Sequence, residues 1–183
     1  MTPHFSPSEH HARAVSQIHP SLHYDGADVT GWQNRLRRKL RKLIGDSPAQ
    51  RSPLKTRTLW KRDHPLGSIE KIVFTSEPFC DVPAYVCLPK NVHPPYTFTI
   101  CLQGHSTGMH NSIGGQLEDE TKPLEVEGDR DFALGCMRRG LAALCIEQRS
   151  FSERRAQKQG MVSSHGCHDA TVQALLLGRT MIG

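Results

Sequence analysis

Five consecutive residues, Gly104-His105-Ser106-Thr107-Gly108, match the spacing Gly-x-Ser-x-Gly. In that spacing the glycines permit a tight, strained turn from a strand into a helix, and the turn holds a serine hydroxyl out as a nucleophile. An apolar, β-branched run, Thr97-Phe98-Thr99-Ile100-Cys101-Leu102, leads directly into it. The chemistry would be attack of Ser106 Oγ on an acyl carbon. That needs a base to take the proton, an acid to orient the base, and N–H donors for the developing oxyanion.

His165 and His168 with Asp169 are residues of the right types for base and orienter, but they open a helical pattern in which Asp169 reads as a cap. His165, Cys167 and His168 lack a second pair at metal-ligand spacing. The histidines of the first 27 residues (His4, His10, His11, His19 and His23) have no Cys or carboxylate set around them. No metal and no cofactor is expected.

The residues after Gly108 weigh against Ser106 as nucleophile. A nucleophile turn must run straight into a helix, whose N-terminus helps bind the anion. Met109-His110-Asn111-Ser112-Ile113-Gly114-Gly115 has two glycines and no apolar period, so no helix is expected there.

The elements that must position this segment are legible in outline. Residues 1–27, rich in His, Pro and Ser, read as a flexible or loosely docked arm. Val29, Trp32, Leu36, Leu40 and Leu43 recur at steps of three and four and predict a helix over 28–44, with Asp28 or Thr30 as cap and Gly45 as stop. Its other face carries Arg35, Arg37, Arg38, Lys39, Arg41 and Lys42, so it is either a docked helix with a solvated basic face or an anion-binding surface. Pro48 and Pro53 mark a linker over 46–55. Strands are predicted at Ser68–Thr75, at Val82–Leu88 with Val82, Ala84, Val86 and Leu88 on one face, and at Thr97–Leu102. Thr58–Lys61 adds a short leading strand. Thr97–Leu102 is continuously apolar or β-branched, as for a strand buried on both faces of a parallel sheet. A glycine-containing loop reaches about Gly128, a helix runs from Asp129 to about Arg139, and Leu141–Ile146 is a further apolar strand. That is a βαβ unit with a right-handed crossover. A last helix starts near Asp169 and is still running at Leu177. Such a helix should return to another strand, so the sequence is expected to be a domain cut off in mid-crossover.

Composition narrows the classes. At 183 residues and 37% hydrophobic the chain can build one core. No run reaches the length of a membrane span, and no basic-then-apolar leader opens the chain, so a cytoplasmic location and no membrane partner are expected. The net charge of +5 is concentrated in residues 35–62, while 118–131 is acidic, so no nucleic-acid partner is expected. The six cysteines show no Cys-x-x-Cys spacing; Cys87, Cys101 and Cys145 lie in apolar strands as small reduced hydrophobes.

From Ile69 onward the chain resembles the N-terminal half of an α/β-hydrolase, most nearly the dienelactone-hydrolase and acetyl-xylan-esterase-like group. The residues that carry the resemblance are Asp81-Val-Pro-Ala-Tyr-Val-Cys-Leu-Pro-Lys-Asn91, Ile100-Cys-Leu-Gln-Gly-His-Ser-Thr-Gly108 and Gly128 through Arg149. It implies an α/β sheet with an antiparallel start followed by parallel βαβ, preceded here by the amphipathic helix. The implied division is 1–55 (arm, helix and linker) and 56–183 (partial hydrolase domain). In that group the third strand leads into a His-Gly-x loop whose main-chain N–H forms half of the oxyanion hole. Gln103-Gly104-His105 falls there, with Gln for the usual His, so the resemblance makes the His105 N–H the donor, with Gln103, Gly104 and Gly108 as loop support. Glu147-Gln148-Arg149-Ser150 falls on an Asp-x-Arg-Gly turn, with Glu for Asp, Ser for Gly, and Arg149 in place.

What the resemblance implies is carboxylic ester hydrolysis, on acetyl or lactone esters of small molecules or sugars. In the group's chain order the nucleophile, acid and histidine follow later strands, so this chain is expected to lack them and to be inactive alone. The alternatives are a complete small esterase using Ser106, or a non-catalytic anion-binding module working through the 28–44 helix. Homo-oligomerisation is compatible with the sequence.

Overall fold

The computed structural model describes residues 6–45, 52–104, 107–158, 161–162 and 165–182. The chain forms two compact units, Met1–Asp46 and Ser47–Gly183.

In the first unit the histidine-rich stretch contains a helix, α1 (Pro7–Ser16), where the sequence reading expected a loose arm. Helix-end chemistry rather than an apolar period accounts for it. Pro7 presets φ in the first turn, Glu9 meets the positive end of the helix dipole and Arg13 the negative end. Helix α2 (Val29–Ile44) starts as its sequence dictates: the Asp28 carboxylate accepts the Gly31 N–H at 2.9 Å. Gly45, at φ +98°, ends it in a conformation costly for other residues. Trp32 donates its indole N–H to the Leu22 carbonyl at 2.8 Å and stacks on Tyr24, which ties the preceding turn to the helix. No residue of α2 is buried.

The second unit is organised by a five-stranded sheet. β1 (Arg57–His64), β2 (Gly67–Glu77) and β3 (Cys80–Pro89) form an antiparallel meander. β4 (Phe98–Cys101) and β5 (Ala142–Ile146) are parallel to each other, and β5 inserts antiparallel beside β3. The spatial order is therefore β1-β2-β3-β5-β4. Helix α3 (Phe132–Arg138) makes the crossover between β4 and β5, the predicted βαβ unit. A two-residue-per-strand hairpin, β6 (Gln157–Lys158) and β7 (Met161–Val162), precedes α4 (Gly166–Leu176).

Two strands depart from the expected burial. β4 is the edge of the sheet, so Phe98 and Ile100 are exposed, Ile100 by 63%, and only Cys101 of the strand is buried. In β3 the buried face changes midway: Val82 and Ala84 are inside as predicted, but Tyr85 and Cys87 are then fully buried while Val86 and Leu88 are half-buried.

Tyr85 can be buried because its hydroxyl has a partner. It donates to the Glu120 carboxylate, which also accepts the Trp60 indole N–H at 3.1 Å and pairs with Lys71 Nζ at 2.6 Å. Lys71 reaches Glu153 at 2.8 Å as well, and Arg62 holds the Glu120 carbonyl at 2.8 Å. The loop between β4 and α3 is thus pinned onto β1–β3 by one carboxylate. The apolar core beside this pin joins Ile69, Tyr85, Cys101, Met109, Met137 and Cys145.

Candidate functional site

The candidate site is the segment leaving the C-terminal end of β4, the end of the strands at which ligands generally bind in open α/β sheets. His105 and Ser106, the predicted oxyanion donor and the alternative nucleophile, lie outside the described residues. Gln103 is buried, and its side-chain amide donates to Ser112 Oγ at 2.7 Å and to the Arg130 carbonyl at 2.9 Å. Thr107 closes back on the Gly104 carbonyl through its hydroxyl at 2.7 Å.

Gly108 is required by contact rather than by backbone angle. A Cβ there would stand 2.3 Å from Ser152 Cβ and 2.6 Å from Ser152 Oγ. Gly104, by contrast, has open space where a Cβ would be. After Gly108 the chain enters a five-residue 3-10 turn, Met109–Ile113. The sequence reading expected no helix there, and there is no α-helix; the short turn buries Met109 and Ile113 in the core.

The turn after β5 supports this segment from below. Glu147 is only 1% exposed, and its two carboxylate oxygens accept the Met109 N–H at 3.3 and 3.2 Å. Burial raises its pKa to about 7, opposed by the Met109 N–H, Ser152 and Arg154 and reinforced by the negative charge of Glu153. Gln148 donates to the Gln103 carbonyl. Arg149, at the position expected from the resemblance, is exposed and pairs with Glu77 at 3.0 Å. Ser150 takes φ +70°, the left-handed conformation that explains why a glycine would suit this turn.

Three participants carried no sequence signal. Ser112, Gln148 and Ser152 act only through tertiary contacts, and nothing in local spacing points to them. Ser152 Oγ lies 3.4 Å from His110 Nδ1. This Ser–His contact is unsuited to nucleophilic attack, because Ser152 is buried against Gly108. Burial lowers the His110 pKa. At the start of α4, His168 faces Asp169 at 3.6 Å, within the first turn of the helix. The buried thiol of Cys101 is pushed far above its usual range by its hydrogen bond to Cys145 and by burial, so it is no nucleophile.

No family model matches the chain, and no curated protein matches it. A solved structure does. A candidate acetyl xylan esterase from Bacteroides fragilis NCTC 9343 superposes on 98% of this chain with a TM-score of 0.71 at 17% identity. The chain has part of an α/β-hydrolase fold. It spans 47% of the length of that neighbour. A glucuronoyl esterase from Solibacter usitatus superposes on 66% of this chain and 36% of its own, at 15% identity and TM-score 0.43. An acetyl xylan esterase from Paenibacillus sp. R4 superposes on 80% and 47%, at 18% identity and TM-score 0.37. Those two fits are too loose to add to the assignment. Within the α/β-hydrolase fold, the segment after β4 and the turn after β5 are adjacent loops at one end of the parallel pair. Among the described residues no helix is long and apolar enough to cross a membrane.

Proposed function

We propose that this chain supplies the oxyanion side of a carboxylic ester hydrolase site, for acetyl or lactone esters of small molecules or sugars. The observation that carries the reading is the anchoring of Gln103 and Met109, on either side of the expected His105 donor, by the turn after β5. An oxyanion hole works only when its donors are held before charge develops, and anchored flanks are what that requires. The name of the well-superposed neighbour, a candidate acetyl xylan esterase, agrees with an ester substrate. In this reading the nucleophile, acid and histidine are not among these residues, and the chain alone does not turn over esters.

The test is hydrolysis of p-nitrophenyl acetate by the purified chain and by Ser106→Ala. No turnover in either fits the proposal. Turnover that disappears in Ser106→Ala overturns it in favour of a complete esterase using Ser106.

A second reading takes α2 as an anion-binding surface, favoured by six basic side chains on a helix with no acidic residue and no buried one. It requires binding to anionic vesicles or nucleic acid that weakens steeply with salt, and binding indifferent to salt sinks it.

A further inference from the structure

Two consecutive residues at the end of β5 hold both flanks of one loop. Gln148 grips the Gln103 carbonyl and Glu147 grips the Met109 N–H. The holders are themselves fixed: the Glu147 N–H donates to the Pro83 carbonyl of β3 at 3.0 Å, and its carbonyl accepts from Arg154 at 3.0 Å. Arg154 in turn reaches Cys80 Sγ at 3.2 Å, at the start of the same strand β3. A rigid path therefore runs from the central sheet, through the 147–148 turn, to both ends of the loop.

The chemistry of the choice points the same way. A carboxylate that is 1% exposed, served by one main-chain N–H in two long bonds and by Ser152, is a poor way to stabilise a core. An apolar side chain of similar volume would pack there at less cost. What the carboxylate provides and an apolar residue cannot is an acceptor aimed at Met109.

We propose that Glu147 and Gln148 are positioning residues that set the separation and orientation of the two flanks of the 103–109 loop. The proposal rests on the reading of that loop as the oxyanion loop and names the residues that preorganise it. Neither side chain need touch substrate; each acts through the main chain it holds.

Amide hydrogen exchange on the full 183-residue chain tests this, with the amides of Thr107, Met109 and Asn111 compared with those of Tyr85 to Cys87 in β3. Glu147→Ala should accelerate exchange at Met109 by about tenfold or more and leave the β3 amides unchanged. Glu147→Gln keeps an acceptor oxygen and should restore protection at Met109. Gln148→Ala, at a half-buried position where misfolding is less of a hazard, should accelerate Thr107 without changing β3. Exchange at Met109 and Thr107 within about twofold of wild type in these variants overturns the proposal. So does acceleration that spreads equally to β3, which would mean a merely structural role. Ester turnover is a separate readout: a Ser106-dependent esterase would remove the oxyanion reading while leaving these exchange results to decide the positioning role.

Discussion

The Glu147 carboxylate and the Met109 N–H meet across 38 residues of chain, at 3.3 and 3.2 Å. This contact joins the turn after β5 to the loop after β4, and the burial of the Glu147 carboxyl that accompanies it ties stability to pH. Tyr85 from β3, and Glu153 and Arg154 from the following turn, are the ionisable groups that interact with Glu147, and His110 faces it through Ser152. Its folded pKa, about 7, lies above the unfolded value of 4.5. The folded chain therefore binds more protons in that window. The contribution of Glu147 is greatest below pH 4.5, falls as pH rises towards 7, and is lost above that. The shift corresponds to about 3 kcal/mol. Urea unfolding of wild type and Glu147→Gln between pH 5 and 8 should show the difference between them changing in that direction. Subtracting the variant removes the opposite contribution of His110, whose pKa is lowered. A difference that stays flat with pH refutes the assignment.

Glu120, half-buried, is the second carboxylate on which the loop after β4 depends. Burial alone would lower the Lys71 pKa, but hydrogen bonds to Glu120 and Glu153 override it and raise it. Lys71 is only 8% exposed, and removing Glu120 leaves its cation with Glu153 alone and the Tyr85 hydroxyl and Trp60 indole N–H without their shared acceptor. Glu120→Ala is expected to cost about 1–3 kcal/mol in chemical denaturation, the penalty of leaving buried donors unsatisfied. The double variant Lys71→Met with Glu120→Leu should be much less destabilised than Glu120→Ala. Equal losses would show that the pair itself, rather than the groups left without Glu120, stabilises the fold.

The strands and the βαβ crossover were legible in the sequence because burial imposes a period on apolar residues. The limits of that signal are equally physical. Tyr85 displaced Val86 from the buried face because Glu120, 35 residues away, satisfies its hydroxyl, and no local pattern contains that fact. The apolar and β-branched run at Thr97–Leu102 identified a parallel strand but not the exposure of Phe98 and Ile100, since what covers the faces of a strand is set by topology. At the site, Glu147 and Arg149 could be placed by their turn, whereas Gln148 and Ser152 matter only through what lies opposite them.

The β4 edge is exposed along Phe98, Ile100 and Leu102, beside a cavity of about 640 Å³ between that strand and α3. An unpaired apolar edge is a template for association. The 183-residue chain is expected to self-associate at micromolar concentration, measured by light scattering after size exclusion. Ile100→Lys puts a charge on the edge at an exposed position and should shift the population towards monomer without lowering stability. A wild-type chain that is monodisperse and monomeric would contradict this.

Gly108 leaves no room for a side chain against Ser152, and their coupling can be measured directly. The φ of Gly108 is −151°, extended backbone open to any residue, so Gly108→Ala introduces no backbone strain. It introduces a Cβ 2.3 Å from Ser152 Cβ, which cannot be accommodated without moving the turn after β5 or the loop after β4. The expected loss is about 1–3 kcal/mol, the usual cost of overpacking. Ser152→Gly removes the opposing Cβ and Oγ, and at φ +38° the glycine also relaxes a left-handed backbone. In the double variant the penalty of Gly108→Ala should fall by at least half, a coupling readable from a double-mutant cycle in urea. Additive losses would mean that the loop and the turn do not press on each other there.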